Sequence, residues 1–110
     1  MSLHTQTCTG GAKKLAETDV AFHLAHLPGW VRVADASGVS AIEKTFTFKN
    51  YHHTMAFVNA TAWISHQQDH HPDMRVHYNR CIMLYTTHDA GGLTLNDLIC
   101  AARVDRLVSA

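Results

Sequence analysis

Hydrophobic spacing marks out the elements of this chain before any chemistry is considered. From Ala12 to Leu27, Leu15, Val20, Phe22, Leu24 and Leu27 sit among good helix formers until Pro28-Gly29 blocks continuation, which predicts a first helix. WVRVAD from Trp30 is rich in β-formers and Ser37-Gly38 supplies a turn. Ala41 to Lys49 then alternates, with Ile42, Lys44, Phe46 and Phe48 on one face and Thr45 and Thr47 on the other. Asn50 is placed to cap a second helix, from Tyr51 to about Gln68. It carries Met55, Val58 and Ala62 on one side and Phe57, Ala60 and Ile64 roughly opposite. A surface helix in a monomer needs one apolar stripe, so the second implies either another subunit or a two-sided core position.

After Pro72, Met74, Val76 and Tyr78 alternate with Arg75, His77 and Asn79, the pattern of a half-buried strand that would put Tyr78 in the core. Asn79-Arg80 can turn, and Cys81 to Tyr85 is apolar throughout, as an interior strand would be. Gly91-Gly92 breaks the chain. Thr94, with Asp97 three residues on, opens a third helix with a variant of the capping box, and Leu95, Leu98 and Ala102 form its stripe. The order α-β-β-α-β-β-α with hairpin-joined strands predicts an α+β fold, a four-stranded antiparallel sheet with three helices packed on one face. At 110 residues a single domain is expected over 1–110, with 1–11 as a flexible N-terminal segment.

Composition narrows the function. With 46% apolar and 16% charged residues the chain can fill a core, and nine basic side chains against nine acidic ones leave no footprint for a phosphate backbone. No direct nucleic-acid partner is expected, and zero net charge favours self-association. Cys8, Cys81 and Cys100 cannot all pair and show no CxxC spacing, which suits a reducing compartment; Cys81 and Cys100 lie in apolar runs and read as small buried side chains. The opening MSLHTQTCTG lacks a basic start and apolar run, and no stretch is long enough to span a bilayer, so a cytoplasmic protein without membrane attachment is expected.

Histidine is the outlier. Of ten copies, His52, His53, His66, His70, His71, His77 and His88 crowd between positions 52 and 88. The densest run is HQQDHHPD, from His66 to Asp73, at the end of the second helix, where Pro72 keeps His71 out of the helical region. His88, in TTHDAGG, follows the strand that pairs with the one after Pro72, so strand ends in one layer bring it toward His70 and His71. Three imidazoles beside an apolar sheet suit a polar heterocycle and proton transfer near neutral pH. His66 and His70 also have the spacing of a metal pair, but no Cys or Glu stands at a familiar ligand spacing, and no metal is expected. His52, His53 and His77 read as solvated surface residues.

The run His66, His70-His71-Pro72, Tyr78, His88, Asp97 resembles, in every spacing, the signature of the pterin-4a-carbinolamine dehydratase family. The resemblance extends to LPGW at 27–30, to Phe46–Tyr51 and to THDAGGLTLND from Thr87 to Asp97, nearly the whole chain after the first dozen residues. It implies the same α+β fold and the dehydration of a 4a-hydroxytetrahydropterin to the quinonoid dihydropterin, which recycles the cofactor of aromatic amino acid hydroxylases. Such an elimination needs an acid for the departing hydroxyl and a base for the proton on the neighbouring nitrogen, so the pterin is substrate and no cofactor is implied.

Carried over by position, the catalytic histidines fall on His70, His71 and His88. His70 is assigned as acid to the hydroxyl, His88 as proton partner on the other side and His71 as a pterin contact. Asp69 would orient an imidazole, Asp97 would touch the site or only cap the third helix, and Pro72 and His66 complete the motif. Two positions depart from the common pattern: His66 stands where many members carry Glu, and Met74 where an aromatic residue often follows, which softens one wall of the pocket. The resemblance also implies a homodimer or homotetramer. A non-catalytic assembly partner on the same fold, or a role linked to molybdopterin metabolism, is the alternative.

Overall fold

The computed structural model describes residues 2–108. The elements follow in the expected order: α1 (Glu17–Leu24), β1 (Val31–Ala34), β2 (Ser40–Thr47), α2 (Tyr51–Gln68), β3 (Asp73–Val76), β4 (Arg80–Tyr85) and α3 (Leu95–Val108), with single 3-10 turns at Leu3–Thr5 and His88–Ala90. All strand pairs are antiparallel and the sheet order is β1-β2-β4-β3, with the three helices on one face. Ile42 pairs with Tyr85, Lys44 with Met83 and Phe46 with Cys81, so the inward positions of the two central strands meet across the seam. Ile42, Cys81, Met83 and Tyr85 are fully buried. Among the described residues no helix is long and apolar enough to cross a membrane.

Lys44 belongs by alternation to this inward row. Its ammonium is carried to the edge of the core, where it reaches Asp105 at 2.9 Å and the Pro28 carbonyl at 3.0 Å. The Trp30 indole N–H donates to the same Asp105 oxygen at 3.1 Å, so a polar clasp joins α3, the LPGW turn and β2. Gly29 is required in that turn: its φ is +90°, and a Cβ there would come within 2.9 Å of the Lys44 side chain.

Two local expectations are corrected. The first helix is shorter than Ala12 to Leu27, because Leu15 donates its N–H to the Leu93 carbonyl at 2.8 Å and this tertiary contact keeps residues 12–16 out of the helix. Tyr78 is 66% exposed rather than packed in the core, since β3 ends at Val76 and the turn carries Tyr78 outward. The second helix ends at Gln68, as expected; Asp69 terminates it in the left-handed region at φ 50°, with the His70 N–H closing onto the Ser65 carbonyl at 3.2 Å.

The buried face of α2 is Thr54, Phe57, Thr61, Ile64 and Ser65. Its hydroxyls are satisfied within the helix, Thr61 donating to the Val58 carbonyl and Ser65 to the Thr61 carbonyl, and Thr54 reaches both Asn50 and Tyr78 carbonyls. Of the two expected stripes, that of Phe57 and Ile64 covers the sheet. On the other, Val58 still packs against the core, whereas Ala62 is exposed beside Trp63, which is 61% exposed.

Residues 2–11, expected to be flexible, run along α3. The Cys8 N–H donates to Gln68 Oε1 at 2.8 Å, Thr9 exchanges two hydrogen bonds with the Asn96 side chain, and Arg103 donates to the Gln6 carbonyl. This strap explains why α3 is buried on more than one side, from Asn96 through Ala102.

Candidate active site

Asp97 joins two roles that the sequence left as alternatives. At the start of α3 its Oδ2 accepts the Thr94 N–H at 2.9 Å, which is the helix-capping half of the contact. The same oxygen accepts the Thr87 hydroxyl at 2.8 Å, while Oδ1 lies 2.6 Å from His70 Nε2. Thr87 has one proton and gives it to Asp97, so the Thr94 hydroxyl, 2.9 Å away, donates to Thr87. The carboxylate is fully buried, and these donors replace the water it has lost.

Asp69 sets His70 on this partner: the left-handed residue reverses the chain at the end of α2 and turns the next side chain toward α3. Burial disfavours the charged imidazole, but the hydrogen bond and charge of Asp97, with smaller contributions from Cys8 and Asp69, outweigh it and hold the His70 pKa above its ordinary value. One ring face stacks on Tyr85, centroids 5.9 Å apart and planes at 10°. Burial pushes the Tyr85 hydroxyl far above its usual range, so it remains protonated.

His70 opens on a cleft of about 680 Å³, shared with Thr87, Asp89, Asn96 and, across from them, the strap and its continuation from Cys8 to Lys14. Neither His71 nor His88 lines this cleft. His71 is exposed, and Pro72 behind it is half-buried. His88 is exposed on the 3-10 turn after β4 and its Nε2 meets Asp35 Oδ2 at 2.8 Å. Its chain neighbours Thr87, Asp89 and Ala90 do line the cleft, as Asp69 does beside His71. His66 is exposed and stacked on Trp63, centroids 5.5 Å apart.

Three parts of the site went unread in the sequence. Asp35 looks like a turn residue, and it is one, accepting the Ser37 and Val39 N–H groups; its contact to His88 spans 53 positions and leaves no local trace. Thr87 lies inside the TTHDAGG run, and its place before His88 was the available signal. The strap carries neither charge pattern nor periodicity that would assign it to the cleft.

Residues 13–107 match the family model described as pterin 4 alpha carbinolamine dehydratase. A Chromobacterium violaceum protein named "Putative pterin-4-alpha-carbinolamine dehydratase" is 53% identical over 109 residues, covering 97% of this chain and 96% of that protein. A Nitrosomonas eutropha protein of the same name is 54% identical over 102 residues, covering 92% and 86%. The crystal structure of a Brucella melitensis protein described as transcriptional coactivator/pterin dehydratase superposes with a TM-score of 0.81 at 29% identity, over 88% of this chain and 100% of that one. A pterin dehydratase-like protein identified as a RuBisCO assembly factor in the alpha-carboxysome shares the fold, with a TM-score of 0.63 at 24% identity over 77% of this chain and 95% of its own. Matched over nearly its full length by the family model and by relatives at about half identity, this chain belongs to the pterin-4a-carbinolamine dehydratase family.

Proposed function

We propose that this chain removes water from a 4a-hydroxytetrahydropterin by histidine acid/base catalysis, recycling the pterin of an aromatic amino acid hydroxylase. The observation that carries the reading is the 2.6 Å pair of His70 and Asp97 at the wall of a cleft, at the family's own motif positions. The hydrogen bond and charge of Asp97 hold the His70 pKa above its ordinary value against burial, which favours the protonated imidazole that an acid for the departing hydroxyl needs. With Nε2 committed to Asp97, Nδ1 is the nitrogen left for substrate. His88, oriented by Asp35, accepts the proton from the neighbouring ring nitrogen from the rim, and His71 contacts the pterin.

The test is to generate the carbinolamine with a hydroxylase and follow its loss of water. Added protein is expected to accelerate it, His88→Ala to lower turnover about a hundredfold, the low end for a positioned acid or base, and His71→Ala to act mainly on KM. Dehydration no faster than the spontaneous reaction would sink the proposal.

The outer side of α2 favours self-association as well. Trp63 at 61% exposed and Tyr51 at 52% stand on that side with the exposed Ala62, an apolar area that a monomer would leave in water. We expect a homodimer or homotetramer built across it. Trp63→Arg should give folded 12.2 kDa monomers, read by sedimentation and circular dichroism. Unmodified protein that sediments as a monomer at micromolar concentration refutes this contact.

A further inference from the structure

Beside the His70–Asp97 pair lies chemistry that dehydration does not use. Cys8 on the strap and Cys100 on α3 are 92 positions apart in sequence, yet their sulfurs are 3.5 Å apart. Cys8 is half-buried and lines the cleft, whereas Cys100 is wholly buried behind it. Cys8 Sγ also lies 3.6 Å from the Asn96 carbonyl, which takes its proton in the thiol form. One sulfur therefore meets small molecules entering the cleft, and the other meets only its partner.

We propose that Cys8 and Cys100 are a peroxide-reactive thiol pair, in which Cys8 attacks and Cys100 resolves, and that the resulting disulfide fastens the cleft wall to α3. The oxidant is hydrogen peroxide or a small hydroperoxide. The Cys8 thiolate attacks one peroxide oxygen, the O–O bond breaks and hydroxide or alkoxide leaves, taking up the proton that the thiol released to become water or an alcohol, and Cys8 is left as the sulfenic acid. Cys100 then attacks the Cys8 sulfur, the S–O bond breaks and water leaves with the thiol proton. Two thiols lose two electrons and the peroxide gains them. Closing the bond needs the sulfurs to approach by about 1.5 Å, to the ~2.05 Å of a disulfide.

The surroundings fit this division of labour. The Cys100 thiol donates toward Cys8 and lowers its pKa; burial opposes this, and the cations of His70 and Arg103 add to the lowering. The same contact and burial push the Cys100 thiol far upward, so it waits as a thiol. Cys81, also fully buried, has no sulfur partner among the described residues, and burial raises its pKa. The strap is otherwise tied through hydrogen bonds from Cys8, Thr9 and Arg103, so a covalent link would convert an openable wall into a fixed one.

The experiment treats the whole reduced protein with stoichiometric hydrogen peroxide and maps its cysteines, a readout independent of pterin chemistry. Two of three thiols should disappear, intact mass should fall by about 2 Da, and digestion should yield a Cys8–Cys100 linked peptide that dithiothreitol separates. Cys8 should react at least about tenfold faster than Cys81. In Cys100→Ala a dimedone adduct should collect on Cys8, and Cys8→Ser, altered only on the strap, should keep its remaining thiols. A link through Cys81, links only between molecules, or no faster reaction at Cys8 would overturn the proposal.

Discussion

His70→Ala is expected to lower dehydration turnover by roughly two to four orders of magnitude, the usual worth of a positioned proton donor. The side chain is the only imidazole that lines the cleft among the described residues, and its Nε2 is fixed by a buried carboxylate 2.6 Å away. Alanine also leaves the Asp97 Oδ1 without that donor, so a drop in stability accompanies the loss of rate. Rates must therefore be measured on protein shown to be folded, and His70→Gln, which can keep a donor toward Asp97, separates the two effects. A folded His70→Gln protein should still lack the acid. Turnover within about threefold of the unmodified protein in either variant would exclude His70 as the acid.

Asp97 should govern both stability and pH response. Removing this fully buried acceptor in Asp97→Ala strands the Thr94 N–H, the Thr87 hydroxyl and the His70 imidazole together, at a cost of about 3 kcal/mol, or on the order of 10 °C in Tm. Asp97→Asn is the more informative change for catalysis. Without the carboxylate, burial is left as the dominant influence on His70, so its pKa falls from above the ordinary 6.5 to below it. The alkaline limb of the turnover profile should then move to lower pH, with the largest deficit above neutrality. Stability follows the same sign: a raised folded pKa contributes stability that is complete below the unfolded value of 6.5 and lost as pH rises through the folded one. Denaturant midpoints of the unmodified protein should fall across that window, and those of Asp97→Asn should not. An unmoved alkaline limb in Asp97→Asn would remove the carboxylate from any part in tuning His70.

What the sequence made legible follows from the range of the forces involved. The strand alternation of Ile42, Phe46, Met83 and Tyr85 reports a sheet face directly, and the Asn50 cap, which accepts the His53 N–H at 2.9 Å, fixes the start of α2 locally. The Phe57 and Ile64 stripe of α2 was legible, but Thr54, Thr61 and Ser65, which complete its buried side, look polar. Their hydroxyls are spent on carbonyls one turn back, which makes them core residues in effect. Leu15 looked helical, and a single contact to Leu93 decided otherwise. At the site, His70 and the capping position of Asp97 were readable, but the line between them crosses 27 positions and depends on a left-handed Asp69. The contacts of Cys8 with Cys100 and of Asp35 with His88 are set wholly by tertiary packing, for which composition and spacing leave no trace.

The seam between β2 and β4 joins strands that are separated in sequence by all of α2 and β3, and the strap finds its partners Asn96, Cys100 and Arg103 only in the last helix. During synthesis, then, the strap is made before every other element of the fold yet is among the last to be seated. Until α3 leaves the ribosome, His70 has no carboxylate at its Nε2, Cys8 has no neighbouring thiol, and the cleft has only one wall. The nascent chain can form α2 and the β1–β2 hairpin early, since both close short loops, but the strap and α3 must meet before there is a site. The chemistry of the cleft thereby waits on α3.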